Sequence, residues 1–262
     1  MFEKITSKSN ERVKFAVKLR EKESFRKENG LFFIEGARLC YDAAISGIEI
    51  KELYVTENAL GKYGEYVSSV EEKAERCFVV SDDVSSKMGD TSSPQGVFCV
   101  CKVLDKNTNI GKINYNGKYI ALESVSNPSN FGAVVRTAEA VGLDGVIVSG
   151  GCDIYNPKSQ RAAMGSLFRL NVIETDDLPE FLSLLKEKGM EILAGVPDST
   201  AKKITEVSMV GGVVSIIGNE GNGITESTKS VATKLVTIPM KGRAESLNAA
   251  AAASIMIWEM MR

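Results

Sequence analysis

From Lys118 onward the chain alternates short apolar runs with amphipathic segments, and this alternation restricts its fold more than any other feature. KYIALES, GVIVSGG, FRLNVIE, EILAGV, VVSIIGN and KLVTIPM read as strands. Helical patterns at 130–141, 178–188 and 225–232 lie between them, and a long one at 246–261, with an alanine run from Ala249 to Ala253, closes the chain. Apolar strands interleaved with amphipathic helices predict an α/β fold, a mostly parallel sheet with helices on both faces.

The first half repeats the alternation on a smaller scale. LFFIEG, ELYV, RCFVV and GVFCVCKV read as strands, with helices near 37–46, 66–74 and 83–87, so a small α/β domain is expected over residues 1–104. The stretch DKNTNIGKINYNG, 105–117, is polar and has no apolar period, which predicts a linker and places the larger domain at 118–262. A chain of 262 residues has room for both.

Composition narrows the chemistry. The chain has no histidine, which excludes Ser-His-Asp and Cys-His pairs, His-ligated metals and imidazole acid/base catalysis. Its five cysteines, Cys40, Cys77, Cys99, Cys101 and Cys152, include no CxxC pair, so they read as reduced, mostly buried thiols and no metal site is expected. No apolar run approaches the roughly 20 residues of a membrane span, and a cytoplasmic protein is expected.

The net charge of −2 argues weakly against a nucleic-acid partner, but its distribution is uneven. Nine basic residues between Lys4 and Lys27 face three acidic ones, a local charge of +6. A helix is expected over 10–23, with Val13, Phe15, Val17 and Leu19 among the bases. Such a helix is either a solvated basic face or a phosphate-binding surface.

Three Gly- and Asn-rich turns flank strands of the second half, where open α/β sheets place ligands. In ESVSNPSNFGAVVRTAEAVG, Pro128, Ser129 and Asn130 predict a helix start, and Arg136 lies one to two turns inside it. SIIGNEGNGIT spaces its glycines GxxGxG, neither the GxGxxG of dinucleotide folds nor a P-loop, which argues against a nicotinamide-dependent oxidoreductase. Glu220, among those glycines, needs a donor or a cation if buried. TIPMKGRAESLNAAAAASIMIWEMMR reads as a strand, a loop and a helix with Ser246 as its N-cap.

Together and in this order, the three segments resemble the SpoU (TrmH-like) branch of the SPOUT class of RNA ribose 2′-O-methyltransferases. The first family motif is similar to Asn130-Phe131-Gly132-Ala133-Val134-Val135-Arg136-Thr137-Ala138. The second is similar to Gly218-Asn219-Glu220-Gly221-Asn222-Gly223 with Ile238-Pro239-Met240, and the third to Glu245-Ser246-Leu247-Asn248. Three positions depart from the family's pattern: Asn127 where Asp is common, and Ala163 and Ala250 where serines are common. TSKSNERVK, FFIEGARL and SPQGV resemble the small domain of ribosomal L30e-type fold that many members carry at their amino terminus.

The resemblance implies an S-adenosylmethionine-dependent catalytic domain with a C-terminal trefoil knot, acting as a homodimer, preceded by an RNA substrate-binding domain. It implies that Gly218, Glu220, Gly221, Ile238, Met240, Leu247 and Asn248 hold the cofactor. Arg136 is expected to hold a phosphate and stabilise the developing alkoxide, with Asn130 orienting the nucleotide. Ser246 and Asn248 are expected to order the site, and Glu220 to fix Arg136 or a neighbouring loop. Lys14, Lys18, Arg20, Arg38 and Arg136 are the expected RNA contacts. Structured ribosomal RNA is favoured as substrate; transfer RNA, or RNA binding without catalysis, are the alternatives.

Overall fold

Short runs rich in aromatic and β-branched residues in the first half of the chain form β1 (Glu3–Ile5), β2 (Leu31–Glu35), β3 (Ile50–Thr56), β4 (Ala74–Val80) and β5 (Val97–Lys102) in the computed structural model, which describes residues 2–262. Between them lie α1 (Glu11–Glu21), α2 (Glu23–Asn29), α3 (Ala37–Ile45), α4 (Glu57–Lys62), α5 (Gly64–Glu71) and α6 (Asp82–Met88). The second half contributes α7 (Lys106–Gly111), β6 (Lys118–Glu123), α8 (Pro128–Val141), β7 (Gly145–Ser149), α9 (Pro157–Ala163), α10 (Ser166–Arg169) and β8 (Asn171–Glu174). There follow α11 (Leu178–Glu187), β9 (Glu191–Gly195), β10 (Lys202–Lys203), β11 (Val213–Ile217), α12 (Glu226–Val231), β12 (Lys234–Thr237) and α13 (Ala249–Met261).

The chain divides into two units, one of residues up to 104 with 155–168, the other of 105–154 with 169–262. In the first, the sheet order is β1-β4-β3-β5-β2, parallel where β4 pairs with β1 and β3, antiparallel where β5 pairs with β3 and β2. Val13, Ala16 and Leu19 of α1 and Val84 and Met88 of α6 share a core with Phe33, Tyr54, Phe78 and Phe98 of the sheet. The helix expected over 10–23 is α1, and a second helix, α2, follows it in the basic stretch. Arg26 is buried, and its guanidinium donates to the Leu19 and Arg20 carbonyls at 2.5 and 2.9 Å, taking up the open end of α1 and turning the chain into α2.

The segment 155–168 belongs to this first unit. Tyr155 and Phe168 place their rings 4.6 and 6.1 Å from that of Phe32, and Gln160 donates from Nε2 to the Phe33 carbonyl at 2.9 Å. Gln160 thereby caps part of β2, the edge strand, whose backbone groups need partners. Phe168 and Arg169, expected to open a strand, lie in α10 instead.

The second unit carries a sheet of order β10-β12-β9-β11-β6-β7-β8 in which every neighbouring pair is parallel. β7 and β11 are buried along their whole length, as strands covered on both faces must be. One face packs against Leu178, Leu182 and Leu185 of α11. On α13, Met256, Ile257 and Met260 are buried, and this helix packs against α8, β6 and β11. The stretch expected to be a linker is held in this unit by its own asparagines. Asn109 is buried and donates from Nδ2 to Val172 O at 2.7 Å, and Asn114 donates to Asp144 Oδ1 at 3.1 Å. The polarity of the stretch gives no sign of these long-range partners. Among the described residues no helix is long and apolar enough to cross a membrane.

Candidate active site

Because every strand of the second sheet runs the same way, the loops after β6, β9, β11 and β12 emerge from one edge. The loop after β6 begins at Ser124, a non-glycine residue at φ 54°, held there as Asn219 Nδ2 donates to its carbonyl at 2.8 Å. Asn127 then caps α8, its Oδ1 accepting from the Ser129 N–H at 2.8 Å, and Pro128 takes the first helical position. The cap is thus three residues earlier than Asn130, and Asn127 supplies the acceptor that the family's Asp would offer at this position. Asn130, freed from capping, is buried inside the first turns.

Asn130 is the middle of a chain of contacts through all three motifs. Asn248 Nδ2 donates to Asn130 Oδ1 at 3.0 Å, and Asn130 Nδ2 donates to Glu220 Oε1 at 2.8 Å. Glu220 also accepts from the Ser126 N–H and hydroxyl, both at 3.0 Å, and from the Asn127 N–H at 3.2 Å. Partial burial pushes the Glu220 carboxyl up. The donors from Ser126, Asn130 and Asn127 outweigh it and hold the group at about 2. Glu220 therefore fixes the loop ahead of α8 and makes no contact with Arg136 among the described hydrogen bonds and ion pairs. An acid this strong is also a poor general base near neutrality.

Asn248 has a second task. Its Oδ1 accepts from the Ala250 and Ala251 N–H groups at 3.0 and 3.3 Å, so it, and not Ser246, is the N-cap of α13. The helix starts three residues later than expected because ESL forms an exposed loop ahead of it.

Behind the Glu220 turn, Asn219 and Gly223 exchange backbone hydrogen bonds at 3.0 and 2.9 Å. Gly218 meets this bridge so closely that a Cβ there would lie 2.2 Å from Gly223 C and 2.3 Å from Ile224 N. The far end of the turn is tied by Glu123, a buried carboxylate at the end of β6. It accepts from the Thr225 N–H at 2.9 Å and from the Thr225 and Thr228 hydroxyls at 2.7 and 2.6 Å. Sequence reasoning passed over Asn219, Glu123, Thr225 and Thr228. The available signal was a carboxylate ending an otherwise apolar strand, which needs donors if buried.

These loops enclose a cavity of about 410 Å³. Its walls are Gly195–Pro197 after β9, Ile217–Gly221 with Gly223 after β11, Val236–Ile238 and Met240 after β12, and Ser246–Ala249 with Ala252 and Met256. The volume and the mixture of aliphatic walls with exposed backbone suit a nucleoside-sized ligand. Gly218, Glu220, Gly221, Ile238, Met240, Leu247 and Asn248 all line it, as does Ser246. Arg136 does not. It lies six residues beyond Asn130, about 9 Å further along the helix axis, exposed and without an ion pair or hydrogen bond among the described residues.

The expected RNA contacts of the first unit are arranged unequally. Arg20 is turned inward, donating from Nη1 to the carbonyls of Lys87 and Met88 at 3.1 and 2.9 Å and to that of Gly89, so it closes the C-terminus of α6. Lys14 pairs with Glu11 at 2.7 Å, and Lys18 lies 3.9 Å over the Phe25 ring. Arg38 is exposed beside two tyrosines.

Residues 117–258, more than half of the chain, match the SpoU rRNA Methylase family. The chain belongs to that family. Residues 10–99 match the MRM3-like substrate binding domain. The SpoU chain described here is 31% identical, over 98% of both sequences, to the 23S rRNA (guanosine(2553)-2′-O)-methyltransferase RlmP of Bacillus subtilis. It is 30% identical to the 23S rRNA (uridine(2479)-2′-O)-methyltransferase of Streptomyces viridochromogenes, over 55% of this chain and 52% of that one. The AdoMet-bound rRNA methyltransferase from Sinorhizobium meliloti has the same fold, with a TM-score of 0.88 at 27% identity, covering 99% of this chain and 97% of that one. The cavity of this SpoU chain is thus formed by the very segments that carry the family's second and third motifs.

Proposed function

We propose that this chain transfers a methyl group from S-adenosylmethionine to a ribose 2′-hydroxyl of ribosomal RNA, acting in the cytoplasm as a homodimer whose catalytic unit is knotted as in the SPOUT class. The observation that carries the reading is the Asn248–Asn130–Glu220 chain, which gathers all three motifs at the mouth of a nucleoside-sized cavity. The residues present fit the cofactor: Gly218 admits backbone within contact distance, and Ile217, Ile238, Met240 and Leu247 supply aliphatic walls. S-Adenosylmethionine, when bound, supplies an electrophilic methyl on a sulfonium.

The chain's own residues do the rest. The loops after β11 and β12 orient the methyl donor, and alignment of two reactants can contribute up to about 7–11 kcal/mol. Asn130, held by Asn248 and Glu220, faces the nucleotide from a fixed position. Arg136 stands exposed on the same helix, and its guanidinium suits the phosphate next to the reacting ribose, where its positive charge stabilises the alkoxide as the hydroxyl's proton is lost to solvent. Glu220 stays ionised and structural.

The test is transfer of tritium from labelled S-adenosylmethionine to ribosomal RNA, followed by mapping of ribose methylation. The name of the Bacillus subtilis relative makes guanosine 2553 of 23S rRNA the first position to inspect. Label is expected in ribose with the wild-type chain, and Arg136→Ala is expected to abolish it while cofactor binding persists. Label in a base, or full activity of Arg136→Ala, overturns the reading.

A further inference from the structure

Several cations at the amino terminus are ion-paired or turned inward. Arg12 pairs with Glu52, Lys8 with Asp83 at 2.9 Å and Lys4 with Glu57 at 3.1 Å, while Arg20 closes α6. Arg38, in the first turn of α3, is placed otherwise. Its side chain is 64% exposed, yet its Nε lies 3.2 Å from the buried Asp42 carboxylate. Its Cζ stands 5.6 and 5.8 Å from the ring centroids of Tyr41 and Tyr66, which are themselves 5.0 Å apart. Just before α5, Lys62 lies 5.3 Å over the Tyr63 ring.

A surface ion pair alone needs no aromatic support, and a guanidinium left to solvent samples many rotamers. Here a carboxylate and two rings flank one guanidinium while most of its side-chain surface stays open to solvent. A planar, weakly hydrated cation fixed in this way is a ready surface for a second flat group. Unpaired RNA bases stack on aromatic rings and on arginine planes, and bases inside a duplex are inaccessible to such contacts. Because the platform is ordered before binding, little side-chain entropy remains to be lost. We propose that Arg38, Tyr41 and Tyr66 form a stacking platform for an unpaired nucleotide of the RNA substrate, with Lys62 attracting its phosphate. The inference rests on the reading of the substrate as RNA and assigns where, and in what state, the first unit holds it.

The test uses the full chain and a fluorescein-labelled, unstructured oligoribonucleotide of about 12 nucleotides, with the matching duplex for comparison. Arg38→Ala is expected to weaken single-strand binding about tenfold and duplex binding much less, and Arg38→Lys to restore under half of the loss, since charge returns without the plane. With ribosomal RNA as methyl acceptor, the loss is expected in KM rather than in kcat. Single-strand affinity of Arg38→Ala within twofold of wild type overturns the proposal. Full rescue by Arg38→Lys, or an equal loss on the duplex, overturns it in favour of a plain charged patch. If the wild-type chain methylates no RNA, the function proposed above fails, and the oligonucleotide comparison still decides the stacking platform by itself.

Discussion

Gly218→Ala isolates the role of a single close approach in building the cofactor cavity. Its φ is not in the left-handed region, so an alanine meets no backbone strain, only contact. The added Cβ would lie 2.2 to 2.3 Å from Gly223 C, Gly223 O and Ile224 N, and none of these backbone atoms can rotate aside. Relief requires the 218–224 turn to move, which strains the Asn219–Gly223 bridge and the Glu220 contacts to Ser126 and Asn130. Overpacking of this kind costs about 1–3 kcal/mol, and the backbone nature of the clash argues for about 2 kcal/mol or more. At about 2–4 °C per kcal/mol, the thermal transition that S-adenosylmethionine shifts upward should fall by about 4–8 °C. Cofactor affinity, measured by calorimetric titration, should fall at least tenfold because the displaced turn lines the cavity. Gly221→Ala is the internal control. Its Cβ would meet only Asn219 Oδ1, at 3.6 Å, and its stability should remain within about 0.5 kcal/mol of wild type. Equal damage from both substitutions, or an unshifted transition in Gly218→Ala, would refute the reasoning.

Asn248→Asp keeps the oxygen that caps α13 but loses the donor to Asn130, so unfolding in urea should change by under about 0.5 kcal/mol while methyl transfer falls tenfold or more. Asn248→Ala loses both and should also unfold about 1 kcal/mol more easily. Glu220 is held at about 2, below its ordinary 4.5, so the stability it contributes is complete above pH 4.5 and is lost as pH falls toward 2. The stability difference between wild type and Glu220→Gln should therefore be flat from neutrality down to about 4.5 and shrink below it, and a difference that changes between pH 6 and 8 would contradict the assignment. Arg20→Ala should lower the denaturation midpoint of the first unit by leaving the carbonyls of Lys87 to Gly89 open. It should change RNA affinity by less than twofold, as gel-shift titration would show.

Where sequence and structure part, the reason is the range of the interaction involved. The alternation of apolar runs with amphipathic segments was sufficient for the parallel sheet of the second unit, because strand and helix periods depend on near neighbours. Helix boundaries at the site were displaced: Asn127, not Asn130, caps α8, and Asn248, not Ser246, caps α13. In each case more than one polar side chain near the helix start could serve as cap, and only the packed structure selects one. Asn109 and Asn114 illustrate the same limit, since an amide reads as solvated until a carbonyl or carboxylate from a distant strand comes within reach.

Residue identity sets the chemistry on offer: no imidazole, an arginine and an asparagine on one helix, a glutamate among glycines, and three motifs whose order marks the SpoU family. Long-range packing settles what each does. It turns Glu220 into the ionised anchor of the Asn130 loop, sends Arg20 to close a helix, leaves Arg38 at the surface beside two tyrosines and sets Arg136 outside the cavity. The Glu220 and Arg20 outcomes, like the Asn248–Asn130 pair, depend on contacts between residues some 70 to 120 positions apart, such as Arg20 with Met88 and Glu220 with Ser126. Which donor meets which acceptor over such separations is settled by how the sheet brings its strand ends together, and no local pattern encodes it.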